Sequence, residues 1–298
     1  MSAFNRIIAE TLPIVPRPII RRFSKRYIAG ESVDEMVATV KRLNAEGYLC
    51  TVDILGEFVK TAERAEASGE EYLRVMDEMV ARGLKAKISV KLTQMGLLLD
   101  KELAFRIMER IVAKAETQGS FVRIDMEDSP TTSDTLDIYR RLRERFGHRV
   151  GPVIQAYLRR SASDIAELAK HRANVRICKG IYVEPRRIAF KDGEIINRNF
   201  ARLVEMLLAA GGYVGIATHD ERVIWKSFEI IDRLGLGPEQ YEFQMLLGVE
   251  EDLRRMILDA GHRVRVYVPF GAKWHAYSVR RLRENPAIVG HVLKNLFA

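Results

Sequence analysis

Arg280 and Arg281 stand side by side in a segment, Arg263 to Asn285, that otherwise reads as a strand running into an apolar-faced helix. Two adjacent guanidiniums repel unless an anion lies beside them. The rigid fork of arginine fits a carboxylate or phosphate with two parallel hydrogen bonds. Taken alone, this segment favours a solvated basic helix end. Other residues shift that balance. Polar and ionisable side chains recur near the ends of short apolar runs: Asp53, Lys91, Asp125, Gln155, Arg176 with Lys179, Thr218 with His219, Gln244 and Tyr267. Singly, each has a bland explanation, Asp125 as a cap or Gln155 as a partner for a loop backbone. Together they are cation-rich, with Glu57, Glu127 and Asp128 nearby. Such a set suits an anionic small molecule together with a phosphate-bearing cofactor.

The elements that would position these residues follow a strict rhythm. Apolar or alternating strands are expected at Tyr48–Leu55, Ala86–Leu92, Phe121–Met126, Pro152–Leu158, Val175–Tyr182, Tyr213–Thr218, Tyr241–Leu247 and from Val264, where Val264, Val266 and Val268 share a face. Helical patterns separate them, over about 57–82, from Lys101 with Asp100 as N-cap, and over 132–146, 161–169, 194–210, 221–234 and 250–260. A further helix from Glu31 precedes the first strand. Eight strand–helix units predict one α/β domain, a single (β/α)8 TIM-type barrel over residues 31–298, with a doubly wound open sheet as the runner-up. In a barrel the chemistry sits at the C-terminal ends of the strands. Residues 1–30 form a separate N-terminal helical arm, basic and amphipathic, with Phe4, Ile7, Ile8 and Leu12 at helical spacing. It packs on the body or touches a membrane interface.

Composition narrows the function. The 298 residues are 47% hydrophobic, which makes a folded globular chain. The net charge of +8 admits nucleic acid, an anionic membrane or anionic ligands. Arginine is scattered through nearly every helix, which argues against a nucleic-acid face. Cys50 and Cys178 lie in apolar runs and fit core packing in a reducing compartment. No 18-residue apolar run or signal-peptide h-region is present, so a cytoplasmic protein is expected, with the arm allowing a peripheral encounter with the inner face of the membrane. The six histidines form no HxH or HExxH, so no metal is expected. Gly235-Leu236-Gly237 lacks the third glycine of a dinucleotide fingerprint, and there is no P-loop or nucleophile elbow.

Five ordered segments then point to one family. Arg176-Ile177-Cys178-Lys179-Gly180-Ile181-Tyr182 resembles the R-x-x-K-G-x-Y segment of proline dehydrogenases. Arg123–Glu127, Glu242–Leu246, Tyr267–Gly271 and Tyr277–Asn285 resemble that family's segments in its order, and the likeness runs from Asp53 to Asn285. It is closest to the monofunctional bacterial type. The resemblance implies a distorted barrel whose last helix lies over FAD. It implies oxidation of L-proline to Δ1-pyrroline-5-carboxylate by hydride transfer from C5 to flavin N5, the first step of proline catabolism. Arg280, Arg281 and Lys91 would meet the substrate carboxylate, and Tyr267 its ring. Asp125 would lie beside the substrate and Arg176 beside the flavin. Met126, Gln155, Lys179, Gly180, Ile181, Thr218 and His219 would contact FAD, and Glu57 and Glu284 would pair with cations. Ile181 departs from the small residue of many relatives. A membrane quinone is the implied electron acceptor and pyrroline-5-carboxylate dehydrogenase the implied metabolic partner. Two rivals stand beside this reading: a Schiff-base aldolase barrel using Lys91 or Lys179, and a non-enzymatic basic barrel that binds phosphate-rich partners.

Overall fold

The computed structural model describes Ser24, residues 26–275 and Ser278. Most of the arm, together with Arg280, Arg281, Glu284 and most of the expected last helix, lies outside the described residues. Eight parallel strands close into a barrel in sequence order: β1 (Leu49–Ile54), β2 (Ala86–Lys91), β3 (Val122–Asp125), β4 (Val150–Gln155), β5 (Asn174–Cys178), β6 (Tyr213–Ala217), β7 (Tyr241–Leu246) and β8 (Val264–Phe270). The expected barrel is therefore present. Helix α1 (Val33–Ala45) precedes β1. Between strands run α2 (Ala62–Ala81), α3 (Lys101–Thr117), α4 (Thr132–Phe146), α5 (Ser161–Ala169), α6 (Gly193–Ala209), α7 (Glu221–Leu234) and α8 (Glu251–Asp259). Side-chain caps start several of them. Ser32 and Glu35 form a capping box on α1, and Thr61, Asp100, Asp192 and Asp220 each accept a backbone N–H in the first turn of the helix that follows.

Helix α1 packs on β1 and β8, the place that a helix after β8 would fill in a regular repeat. The chain leaving β8 goes elsewhere. Trp274 packs with Tyr27, Ile28 and Leu55, and the Ser24 hydroxyl donates to that of Ser278 at 2.6 Å. On the outside, Arg110–Glu66 and Lys114–Asp77 tie α3 to α2, and Arg141–Glu102 and Arg145–Glu109 tie α4 to α3. These exposed pairs add little stability, but they spread the basic residues among carboxylates.

Successive strand residues face opposite sides. Val52, Ile54, Ile88, Val90, Ile124, Ile177, Ile216, Phe243 and Val268 join the helices in one apolar cluster. The opposite face is polar. Arg176 on β5 bonds Asp125 on β3 and Ser89 on β2, and Tyr267 on β8 also bonds Asp125. Bonds between strands that are not neighbours must cross the lumen, so this barrel is lined with charge where Val, Ile and Leu are usual. Small residues leave the room. A Cβ on Gly151 would lie 2.1 Å from the Asn174 carbonyl oxygen and 2.8 Å from an Arg123 nitrogen.

Two strands end earlier than the apolar runs suggest. β4 stops at Gln155 because the Leu158 N–H turns back to the Gln155 carbonyl, and Leu158 instead bridges Ala189. β5 stops at Cys178 because Gly180, at φ +105°, lies flat on the Tyr157 ring, where a Cβ would come within 2.1 Å.

Gly151 and Gly193 separate these causes. Gly151→Ala must push backbone in a packed lumen and is expected to cost about 1–3 kcal/mol. Gly193→Ala, in the first turn of α6 with nothing within 4 Å of the new methyl, is expected to stabilise by roughly 0.4–1 kcal/mol. Denaturant midpoints at unchanged slope measure both.

Candidate active site

A cavity of about 410 Å³ opens at the C-terminal ends of the strands. Lys91, Asp125, Met126, Gln155, Arg176, Lys179, Gly180, Ile181, Thr218, His219 and Tyr267 all line it, as does Glu57. The structure thus brings these residues together; Arg280, Arg281 and Glu284 lie outside the described residues.

Its floor is a chain of charges. Lys91 Nζ donates to both carboxylate oxygens of Asp53, at 2.8 and 2.9 Å, and stands 3.8 Å from Asp125. Asp125 Oδ1 accepts from Ser89 at 2.7 Å and from Arg176 at 2.5 Å, and its Oδ2 accepts from the Tyr267 hydroxyl at 2.8 Å. Arg176 Nε donates to Gln244 Oε1 at 2.5 Å, and its guanidinium lies 5.2 Å from the centre of the Tyr267 ring. Burial opposes each charge, but the partners decide the outcome. Arg176 first and Lys91 next hold Asp125 below the usual carboxylate range. Asp53, wholly buried, is raised by burial against the pull of Lys91. Burial also works against the Lys91 ammonium, and Asp53 and Asp125 more than restore it, so its pKa is raised. Two cations and two carboxylates balance, and Arg176 Nη2 has no acceptor among the described residues.

Neither lysine suits Schiff-base chemistry. Lys91 is held protonated, and Lys179 pairs with Asp220 at 2.5 Å. The thiols are inert too: burial pushes Cys50 and Cys178 up to about 12. His219 Nε2 accepts the Leu246 N–H at 2.9 Å, which places its proton on Nδ1 if the ring is neutral.

The rim is tied by hydrogen bonds between distant segments. Glu127, just past β3, accepts from the Thr93 N–H at 3.0 Å and from its hydroxyl at 2.6 Å. Thr93 in turn receives the Phe58 and Val59 N–H groups, so one buried carboxylate anchors the loop that carries Glu57. Glu184 likewise holds Ser129 through its N–H and hydroxyl. Gln244 belongs to the set read from the sequence, and Ser89 could have been found from the alternation of Lys87, Ser89 and Lys91. Thr93 and Glu184 carry no such signal.

Comparison with known proteins shows the family. A family model described as proline dehydrogenase matches residues 36–294. The chain is 35% identical over 297 residues to the proline dehydrogenase of Deinococcus radiodurans, covering 96% of each. It is 36% identical over 273 residues to proline dehydrogenase 1 of Bacillus subtilis, covering 92% of this chain and 90% of that one. Among solved structures, proline utilization A of Bdellovibrio bacteriovorus, inactivated by N-propargylglycine, is similar with TM-score 0.83 at 26% identity, over 89% of this chain and 33% of that chain.

Burial pushes Glu127 up to about 7. Its folded pKa lies above the ordinary 4.5, so the stability it contributes is present when it is protonated and is lost as pH rises from about 4.5 through 7. Glu127→Gln, which mimics the neutral form, is expected to flatten the fall of the denaturant midpoint between pH 5 and pH 8. An equal fall in both proteins would assign that pH dependence elsewhere.

Proposed function

The chain belongs to the proline dehydrogenase family, oxidoreductases acting on proline, and on that premise we propose that it converts L-proline to Δ1-pyrroline-5-carboxylate with FAD. The observation that carries this reading is the Lys91–Asp125–Arg176 bridge with Tyr267 on the same cavity wall. The donor set fits a flavin. Arg176 Nη2 and the Gln155 amide offer polar contacts for its pyrimidine edge, and Met126, Val153 and Ala217 offer an apolar face. Lys179, Thr218 and His219 line the flank where a diphosphate would lie. When bound, the flavin accepts the hydride that leaves C5 of proline.

The chain's own residues do the rest. Lys91, together with Arg280 and Arg281, which lie outside the described residues, binds the carboxylate and so fixes C5. The same cations disfavour a protonated ring amine, leaving its lone pair free to form the C5=N bond. Both Asp125 oxygens already accept hydrogen bonds, and the carboxyl stays ionised. Asp125 therefore orients Arg176 and Tyr267, and the amine proton goes to solvent. Tyr267, fixed through its hydroxyl, presents its ring to the pyrrolidine. Positioning and electrostatics supply most of the rate. Electrons pass onward to a membrane quinone, with the basic arm as the segment that meets an anionic leaflet, and pyrroline-5-carboxylate dehydrogenase consumes the product.

The first test is optical: the purified chain is expected to carry the visible bands of an oxidised flavin and to lose them when L-proline is added without oxygen. A colourless protein that proline does not alter would overturn the reading. The second concerns the carboxylate. Arg280→Met and Arg281→Met are each expected to lower kcat/KM for proline by about 30-fold to several-thousand-fold, with flavin retained. Prolinamide, which lacks the carboxylate, is expected to lose far less. Equal losses for both substrates would return the arginines to a solvated helix.

A further inference from the structure

The opposite, N-terminal end of the barrel holds a second cavity, of about 300 Å³, that proline oxidation does not use. Lys87 of β2 lines it together with Lys85, Gln118 and Arg265. Lys87 Nζ lies 4.9 Å from the centre of the Phe121 ring, and the Arg123 guanidinium lies 4.8 Å from the same centre. Among the described residues this ammonium has no hydrogen bond and no ion pair. The charges that face it are Arg263 and Arg265 at the start of β8, Arg123 on β3 and Glu242 on β7.

The carboxylate in that set is fully engaged. Glu242 Oε1 accepts from Arg265 at 2.7 Å and from Gln244 at 2.6 Å, and Oε2 accepts from Arg265 at 2.9 Å and from Tyr213 at 3.1 Å. Arg123 is held by the Pro152 and Asn174 carbonyls, which carry no charge. Four cations therefore share one carboxylate, and Lys87 is the member held only by an aromatic face. Burial, and then Arg265, bring its amine down to about 8. Near neutral pH a substantial fraction of it is a free base.

We propose that Lys87 is a carbamylation site that takes up carbon dioxide at the N-terminal mouth of the barrel. The nitrogen lone pair adds to the carbon of CO2, one C=O bonding pair moves onto oxygen, and the nitrogen releases a proton to water. The product is a carbamate anion. It replaces a cation repelled by three guanidiniums with an anion they attract. An acyl phosphate could meet the same amine, but it would leave a neutral amide and no charge to match the cluster. Carbon dioxide, small and uncharged, also reaches a half-buried amine with little desolvation.

The test uses the full chain equilibrated with 13C-labelled bicarbonate. A trialkyloxonium salt traps carbamates as stable esters, and peptide mass spectrometry locates them. At pH 7.5 the neutral fraction of an amine titrating near 8 exceeds that of an ordinary lysine by roughly a hundredfold, and its lower basicity offsets part of this. Label at Lys87 is expected to exceed label at the exposed Lys60 by at least about tenfold, to fall at pH 6, and to vanish in Lys87→Arg. The wild-type map stands without the variant. No label at Lys87, or label there no greater than at Lys60, would overturn the proposal.

Discussion

Asp125 lies between Lys91 and Arg176, and all three are taken out of bulk water at the wide end of the barrel. Removing such charges from water costs several kcal/mol per ion unless attraction and hydrogen bonds offset it. Here they do, because Ser89 and Tyr267 occupy the remaining acceptor positions of Asp125. The same bonds set geometry. The Tyr267 ring, the Arg176 fork and the Lys91 ammonium each take their direction from this one carboxylate or from its neighbour Asp53. Without Asp125, Lys91 would keep Asp53 while the buried Arg176 guanidinium would lose its carboxylate partner.

The rest of the barrel is shaped by that demand. Its interior is mostly polar, so most of the apolar core lies outside, between strands and helices. Glycine at 151 and 215 leaves space for Arg123 and Gln244, since a Cβ at 215 would lie 2.4 Å from the Gln244 amide nitrogen. Further down the lumen, Glu242 and Arg265 repeat the buried pairing, with both Glu242 oxygens engaged and its pKa lowered to about 2 against burial, chiefly by Arg265. Charge neutralisation continues toward the N-terminal end and fails at Lys87. The two ends of the barrel differ for that reason: one presents balanced, directed charge to a roomy cavity, and the other leaves a cation in excess.

Much of this was legible in the sequence, where local pattern and final packing agree. The helices Thr132–Phe146, Ser161–Ala169 and Glu221–Leu234 begin and end where periodicity places them. Alternation in β2 and β8 marked the lumen face that carries Lys91 and Tyr267. The pattern misled at Ala156–Leu158 and Lys179–Tyr182, apolar runs that read as strand. The fold uses Tyr157 and Leu158 for a satellite cluster with Ala189, and it places Lys179–Tyr182 on the wall of the cavity. Nothing local distinguishes such a run from a barrel strand. Thr93, Ser129 and Glu184 were invisible for another reason: each is ordinary in its own segment and matters only through a partner from a distant one. Thr93 and Glu127, for example, are 34 positions apart.

The proposed role of Asp125 is to act on the substrate through Arg176, by holding its guanidinium toward the cavity. A double-mutant cycle on the rate of flavin reduction by L-proline, measured without oxygen on variants of equal flavin content, tests this directly. Asp125→Asn and Arg176→Gln are each expected to slow that step by about 30-fold or more. If the two act as one unit, the double variant will be little slower than either single one, a coupling of roughly 2 kcal/mol. Losses that multiply in the double variant would show that the two residues act independently and would contradict the account.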